Sequence, residues 1–135
     1  MGIQILWDDA EKTTLRYNFD EQWSWEDFFA AKKEANALID TVTHRVGVIM
    51  SAPSGMKLPA NMLTNARNAL RTKHPNTVIL VFVLTNPFIR TMIRALKGLP
   101  MPVATTIELA STLDEARDLV QKRLEYMKNF TMAEY

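Results

Sequence analysis

The stretch VILVFVL, at residues 78–84, is the longest wholly apolar run in the chain. Successive side chains of a strand point to opposite faces, so both faces of this strand would be apolar. Such a strand is covered on both sides or lies at the centre of its sheet. Asn86-Pro87 follows, and it supplies a helix N-cap and a first-turn proline. A buried strand followed at once by a helix is typical of an α/β protein.

Strands and helices alternate on either side of this stretch. Two runs with period-two alternation, Ile3 to Trp7 and Thr14 to Phe19, flank a short polar turn and predict an antiparallel hairpin. Beyond the hairpin, helices begin at Ser24, near Pro59, at Asn86 and at Thr112, and strands run from Val46 to Met50 and from Thr105 to Leu109. This order predicts one α/β domain over residues 1–135, a βα superhelix with a mixed sheet of about five strands and four helices.

Local signals mark the helix boundaries. Ser24 with Asp27, and Thr112 with Glu115, are capping boxes. Trp23 and Phe28 can form a hydrophobic staple, which favours a core role for the aromatic residues here. The second helix would end at His74-Pro75. The predicted inner faces of the second and third helices consist of Leu63, Ala66, Ala69 and Leu70, and of Phe88, Ile89, Met92, Ile93 and Leu96.

Composition restricts the compartment and the chemistry. The chain has no cysteine, which excludes disulfides and thiolate catalysis and suits a reducing compartment. No basic leader precedes a long apolar stretch, and no apolar run reaches the ~18 residues of a membrane helix. We therefore expect a cytoplasmic protein without a membrane span.

Charge is distributed unevenly along the chain. Residues 41–107 contain eight bases and no acid, whereas the formal net charge of the whole chain is only +1. Helical spacing places Arg67 and Arg71 on one stripe, and Arg90, Arg94 and Lys97 on another, with Lys57 and Lys73 at the rim. Such a group of basic side chains can be a solvated face, a site for an acidic protein or a second copy, or a site for a small anion or lipid headgroup. A sequence pI of about 8.0 without a known motif argues against nucleic acid.

No catalytic or metal-binding pattern stands out. The loop around Ser54 lacks the flanking glycines of a nucleophile elbow, and the two histidines are far apart in sequence. The acidic turn Asp8-Asp9 could hold calcium loosely, but a solvated hairpin turn is the favoured interpretation. We therefore predict that the chain is not an enzyme and needs no cofactor or metal.

The chain resembles the STAS domains of anti-sigma-factor antagonists, and most closely an uncharacterised bacterial STAS-like subgroup. The residues that carry the resemblance are Ile5-Leu6-Trp7-Asp8, Trp23-Ser24-Trp25, Leu58-Pro59, His74-Pro75-Asn76 and Thr112-Leu113-Asp114-Glu115-Ala116. In the signalling branch, a kinase phosphorylates a serine in the loop before the second helix. The matching stretch here, Pro59-Ala60-Asn61-Met62, has no serine. Ser51 and Ser54 lie upstream in the same loop and could take over the role of the switch, Ser54 above all, although a turn role is the simpler interpretation.

These observations lead to a functional hypothesis and an alternative. The hypothesis is a non-enzymatic regulatory or protein-interaction module, which binds a protein or itself through Lys57, Arg67, Arg71, Lys73, Arg90, Arg94 and Lys97. We expect the first and last helices to be net acidic and the middle to be basic, which favours head-to-tail or symmetric self-association. The alternative is a carrier or sensor of a small anionic or apolar ligand, such as a lipid, held between helices and sheet.

Overall fold

The computed structural model describes residues 2–133, apart from the side chains of Pro102 and residues 130–133. Its strands are β1 (Ile3–Trp7), β2 (Thr14–Phe19), β3 (Val46–Ser51), β4 (Thr77–Val83) and β5 (Ile107–Ala110). Its helices are α1 (Trp25–Ile39), α2 (Met62–Ala69), α3 (Pro87–Lys97) and α4 (Leu113–Ala133), with a 3₁₀ helix at Pro102–Thr106. The predicted fold class, α/β with a five-stranded mixed sheet and four helices, is confirmed.

The five strands lie in the sheet in the order of the chain, β1-β2-β3-β4-β5. β1 pairs with β2 antiparallel, so Ile5 lies opposite Tyr17, and β2 to β5 are parallel. From β2 onward, each connection therefore leads to the neighbouring strand on the same side. If all three connections have the same handedness, as is usual, α1, α2 and α3 lie on the same face of the sheet.

Each face of the sheet has its own core. On one face, α1, α2 and α3 bury residues such as Phe28, Ala69 and Ile93 against Leu15, Val48 and Leu80 of the strands. On the other face, α4 packs Ala116 and Val120 against Ile49 and Val81. Both faces of β4 are therefore covered, as its apolar sequence predicted.

The first helix begins as its sequence predicts. Ser24 Oγ accepts from the Asp27 amide, and the Asp27 carboxylate accepts from the Ser24 amide, both at 3.0 Å. Trp23 and Phe28 are both buried, with ring centroids 6.1 Å apart. At α4 only half of the predicted capping box forms. Thr112 Oγ1 accepts from the Glu115 amide, but the Glu115 carboxylate accepts from the Ser111 amide instead of the Thr112 amide. These caps satisfy amides that the helix leaves free.

The second helix is shorter than predicted. It begins at Met62 instead of near Pro59, because Asn61 adopts a left-handed conformation, with φ of 56°. Its last turn ends before His74-Pro75. There Lys32 of α1 donates to the carbonyl oxygens of Ala69 and Thr72, at 2.6 and 2.8 Å. A tertiary contact thus completes the hydrogen bonds of this helix end.

Three further expectations need correction. Ser51 is the last residue of β3 and does not belong to the following loop. Leu63 and Phe88 were predicted to face inward, but their exposed fractions are 55% and 66%. Both lie in the first turn of their helix, next to the loops at the sheet edge, and the other residues of each predicted inner face are largely buried.

Among the described residues, no helix combines the length and apolarity needed to cross a membrane.

Candidate functional site

The loops that follow β2, β3 and β4 lie at the carboxyl edge of the parallel strands, where α1, α2 and α3 begin. Three large apolar side chains are exposed at this end of the three-helix layer. They are Phe29 in α1, Leu63 in α2 and Phe88 in α3, which we call the apolar rim. They lie on three successive helices that all begin at this edge of the sheet. Sequence periodicity placed Leu63 and Phe88 in the core, so it missed this feature.

Four of the seven predicted cations are exposed and have no partner among the residues that the structure describes. They are Lys57, Arg67, Arg71 and Arg94, which we call the free cations. Leu63 and Arg67 are four residues apart on α2, so they share one helix face, and Phe29 and Lys33 do the same on α1. Each of these two faces therefore combines one apolar side chain with one base.

The other three predicted cations are hydrogen-bonded within the chain. Arg90 Nη1 donates to the carbonyl oxygen of Leu84 at 2.9 Å and, more weakly, to that of Ala110 at 3.4 Å. Lys97 pairs with Glu108 at 3.1 Å, and Lys73 Nζ donates to the Thr77 carbonyl at 2.7 Å. The structure therefore does not leave all seven cations open to one partner.

The loop at residues 52–61 connects β3 to α2 and is tied to the start of α1. The Lys57 amide donates to the Glu21 carbonyl at 2.7 Å, and Trp25 Nε1 donates to the Ala60 carbonyl at 3.0 Å. Gly55 lies close to the Glu21 carboxylate, so a side chain at this position would displace that exposed carboxylate. Ser54 is exposed in this loop and has no hydrogen-bond partner among the described residues. The switch role of Ser54 stays a prediction.

An apolar cavity of about 60 Å³ lies beneath this loop, between α1, α2, α3 and the sheet. A second cavity of about 50 Å³ adjoins it and is lined in part by Tyr17, Lys32 and His74. Burial raises the pKa of the Tyr17 phenol and lowers the pKa of the Lys32 amine, because both charged forms lose solvation there. No sequence pattern pointed to either cavity.

His74 is engaged at both ring nitrogens. Its Nε2 lies 2.6 Å from Asp40 Oδ1, and its Nδ1 accepts from the Asn76 amide at 3.1 Å. This arrangement requires the proton on Nε2, which then donates to Asp40. His74 thereby ties the end of α1 to the segment before β4.

Asp8 and Asp9 are not solvated, contrary to our expectation for the hairpin turn, whereas Ala10, Glu11 and Lys12 of the same turn are exposed. The Asp8 carboxylate is 5% exposed and pairs with Arg16 and Arg117. Asp9 accepts from the amides of Thr13 and Thr14 at 2.9 and 3.0 Å. Both carboxylates are thus used inside the chain. Within residues 2–133, no cluster of three or more acidic or histidine side chains is arranged to hold a metal ion.

The charge of the last helix differs from expectation, whereas the first helix is net acidic as expected. α4 carries four acids and four bases, so it is neutral rather than net acidic. α1 carries three acids and two bases, a net charge of −1. The helices of a second copy therefore offer little negative charge to the free cations.

Comparison with known proteins gives no relative for this chain. No family model, no curated protein and no solved structure matches it. The resemblance to STAS domains stays a prediction.

Proposed function

We propose that this chain is a non-enzymatic, STAS-like interaction module that binds an acidic segment of another protein. The observation that carries the proposal is that an exposed apolar side chain and an exposed base share one face of α2, as Leu63 and Arg67, and one face of α1, as Phe29 and Lys33. Leu63 and Arg67 on α2, with Phe29 and Lys33 on α1, form the centre of the proposed docking surface. The two helices are in contact, since Lys32 of α1 donates to the Ala69 carbonyl of α2. Lys57, Arg71 and Arg94 extend its positive charge.

An acidic segment with apolar side chains complements this surface in two ways. Its apolar groups would cover the rim, and each buried Å² would contribute about 25 cal/mol. Its carboxylates would meet the free cations, which raises the association rate and orients the partner. A different protein fits better than a second copy, since α4 is neutral. We place this interaction in the cytoplasm, because a cysteine-free chain suits a reducing compartment.

The test is capture of partners from native lysate with a charge-reversed variant. Arg67→Glu/Arg71→Glu reverses two exposed cations, and we expect the amount of captured partner to fall at least about 10-fold. Arg90 is not used, since it holds the carbonyl of Leu84 and its reversal would disturb the fold. Captured proteins are quantified by mass spectrometry at low and high salt, and the partner should be lost at high salt.

The matched control is Arg45→Glu/Lys128→Glu. These two exposed bases lie together at the opposite edge of the sheet, and their reversal changes the net charge by the same amount. This control should retain the partner. If it loses the partner to the same extent, net charge and not this surface determines binding, and the proposal fails. Equal capture by the wild type and by Arg67→Glu/Arg71→Glu would also contradict it.

A further inference from the structure

The second cavity, of about 50 Å³, differs from the apolar cavity in the chemistry of its wall. It lies between α1, the end of α2, the sheet and the 3₁₀ helix, and polar atoms contribute to its surface. A water molecule takes about 30 Å³ in the liquid, so this cavity has room for one or two waters or for one small ion. We call it the polar cavity.

Two buried hydroxyl groups in the wall of the polar cavity have no hydrogen-bond partner among the described residues. They belong to Tyr17 on β2, which is 4% exposed, and to Thr77 on β4, which is 6% exposed. Neither hydroxyl oxygen is fully enclosed by protein atoms, whereas the unpartnered indole nitrogen of Trp23 is. Since both residues line the polar cavity, we assign the open side of each hydroxyl to it. Burial raises the pKa of the Tyr17 phenol, so the phenol keeps its proton at neutral pH and can donate it.

The charge around the polar cavity is positive. Lys32 and Lys73 line it, and none of its lining residues is acidic. The Lys32 ammonium donates only to uncharged oxygens, those of Ala69 and Thr72, and Lys73 Nζ donates to the carbonyl oxygen of Thr77. Burial of a cation is costly unless an opposite charge accompanies it. An anion in the polar cavity would supply that charge.

The polar cavity has a route to solvent beside Lys32. Lys32, Asn36 and Thr72 line both this cavity and a groove on the outer surface of α1. The ammonium of Lys32 lies at this boundary, where its hydrogen bonds join α1 to the end of α2. Movement of this one side chain would let a small ion pass from the groove into the cavity.

We propose that the polar cavity binds one monovalent anion of halide size, through the hydroxyl groups of Tyr17 and Thr77 and the positive charge of Lys32 and Lys73. A halide is only slightly larger than water, so it fits where a larger anion would not. Lys73 can also donate to the ion, because an ammonium has three N–H groups and the Thr77 carbonyl accepts from one. Water is the competing occupant, and it would leave both cations without a counter-charge. The proposal is independent of the docking surface, since it uses neither the free cations nor the apolar rim.

Bromide is the probe that tests the proposal. Sodium bromide replaces sodium gluconate at constant ionic strength, since gluconate is too large for the cavity. Binding is followed by NMR through the methyl signals of Ala69 and Leu80, which line the cavity. We expect both signals to shift and to saturate. Tyr17→Phe and Thr77→Val each remove one hydroxyl with little change of shape, and each should raise the Kd for bromide at least about 5-fold.

Two matched variants remove hydroxyl groups elsewhere. Tyr126→Phe changes an exposed phenol on α4, and Thr14→Val changes a buried threonine on β2, and neither residue lines the polar cavity. Both should bind bromide as the wild type does. Shifts that grow linearly with bromide concentration would refute the site, because they report only a change of solvent. If either Tyr17→Phe or Thr77→Val keeps the wild-type Kd, that hydroxyl does not hold the ion and the proposal is wrong.

A crystal of the full chain soaked in sodium bromide locates the ion directly. We expect an anomalous bromine peak inside the polar cavity, within hydrogen-bonding distance of both hydroxyl oxygens. Well-ordered water in the cavity without an anomalous peak, at a bromide concentration that saturates the NMR shifts, would overturn the proposal.

Discussion

Asp8 shows how a single residue connects distant parts of this chain. Its carboxylate accepts from Arg117 Nε and Nη2 at 2.8 and 3.0 Å, and Arg16 Nη1 lies at 3.4 Å. The hydrogen bond from Arg117, with the positive charge of Arg117 and Arg16, lowers the pKa of Asp8 despite its burial. The bond joins the β1–β2 hairpin to α4, 109 residues further along the chain.

This lowered pKa predicts a loss of stability in acid. Because the folded pKa lies below the unfolded value of about 3.9, ionised Asp8 stabilises the fold at higher pH. That contribution is lost as the pH falls through the folded pKa. We expect Asp8→Asn to lower the free energy of unfolding by about 1–2 kcal/mol near pH 7. The difference from wild type should shrink as the pH falls below the unfolded pKa of about 3.9 and through the lower folded pKa. Urea unfolding across this pH range measures both.

Asp114→Asn is the control for Asp8→Asn. Asp114 also binds Arg117, at 3.2 Å, but its carboxylate is 93% exposed, so its loss should leave stability unchanged. A stability difference between Asp8→Asn and wild type that stays constant down to the lowest pH would contradict the ionic contribution.

At the scale of elements, some helices begin where contacts between neighbouring residues place them, and others where contacts between residues far apart in the sequence do. α1 starts where Ser24 and Asp27 predict, because both capping bonds join residues three apart. α2 starts later than predicted, because its start depends on the left-handed Asn61 and on the bond from Trp25 to Ala60. Trp25 and Ala60 are 35 residues apart, so no local pattern signals that boundary.

The packing of α4 on the sheet depends on Gly47 in β3. A Cβ at this position would lie 2.5 Å from Val120 Cγ1 and 3.1 Å from Ile79 Cγ2. We therefore expect Gly47→Ala to destabilise the protein by about 1–3 kcal/mol through overpacking. Combining it with Val120→Ala should cost less than the sum of the two single changes, because the clash is removed. Urea denaturation of the four proteins gives the coupling.

Gly98→Ala is the matched control. A Cβ at Gly98 would meet only the backbone oxygens of Ala95 and Arg94, at 3.6 and 3.9 Å, and φ there is −83°. We expect little change in stability. If Gly47→Ala were equally harmless, α4 would not pack on β3 as closely as described.

At the scale of the whole molecule, stability should decrease from the centre of the sheet to the hairpin edge. β4 lies between β3 and β5 and is covered on both faces, whereas β1 is an edge strand paired only with β2. Strands with more buried contacts open only in larger unfolding events.

Hydrogen exchange should show this gradient directly. We expect the hydrogen-bonded amides of β4 to exchange at least about 100-fold more slowly than those of the β1–β2 hairpin. Exchange followed by NMR at residue resolution measures both sets in one sample. Equal protection of the hairpin and β4 would mean that the sheet opens as one unit.

The amino-acid sequence by itself determined the architecture. The apolar run at residues 78–84 and the alternation of strands and helices predicted the α/β class, the hairpin and the buried central strand, since these depend on periodicity and on bonds between near neighbours. The sequence also located the bases, but it could not tell which of them are free. Arg90 and Lys97 are engaged by groups that only the folded sheet brings near.

Tertiary structure alone decided the candidate sites. Leu63 and Phe88 follow the helical period of a core stripe, yet they are exposed because no element within residues 2–133 covers these side chains. The apolar cavity arises where three helices and the sheet do not fill the space between them. Packing of this kind depends on contacts between segments far apart in the chain, which periodicity does not encode.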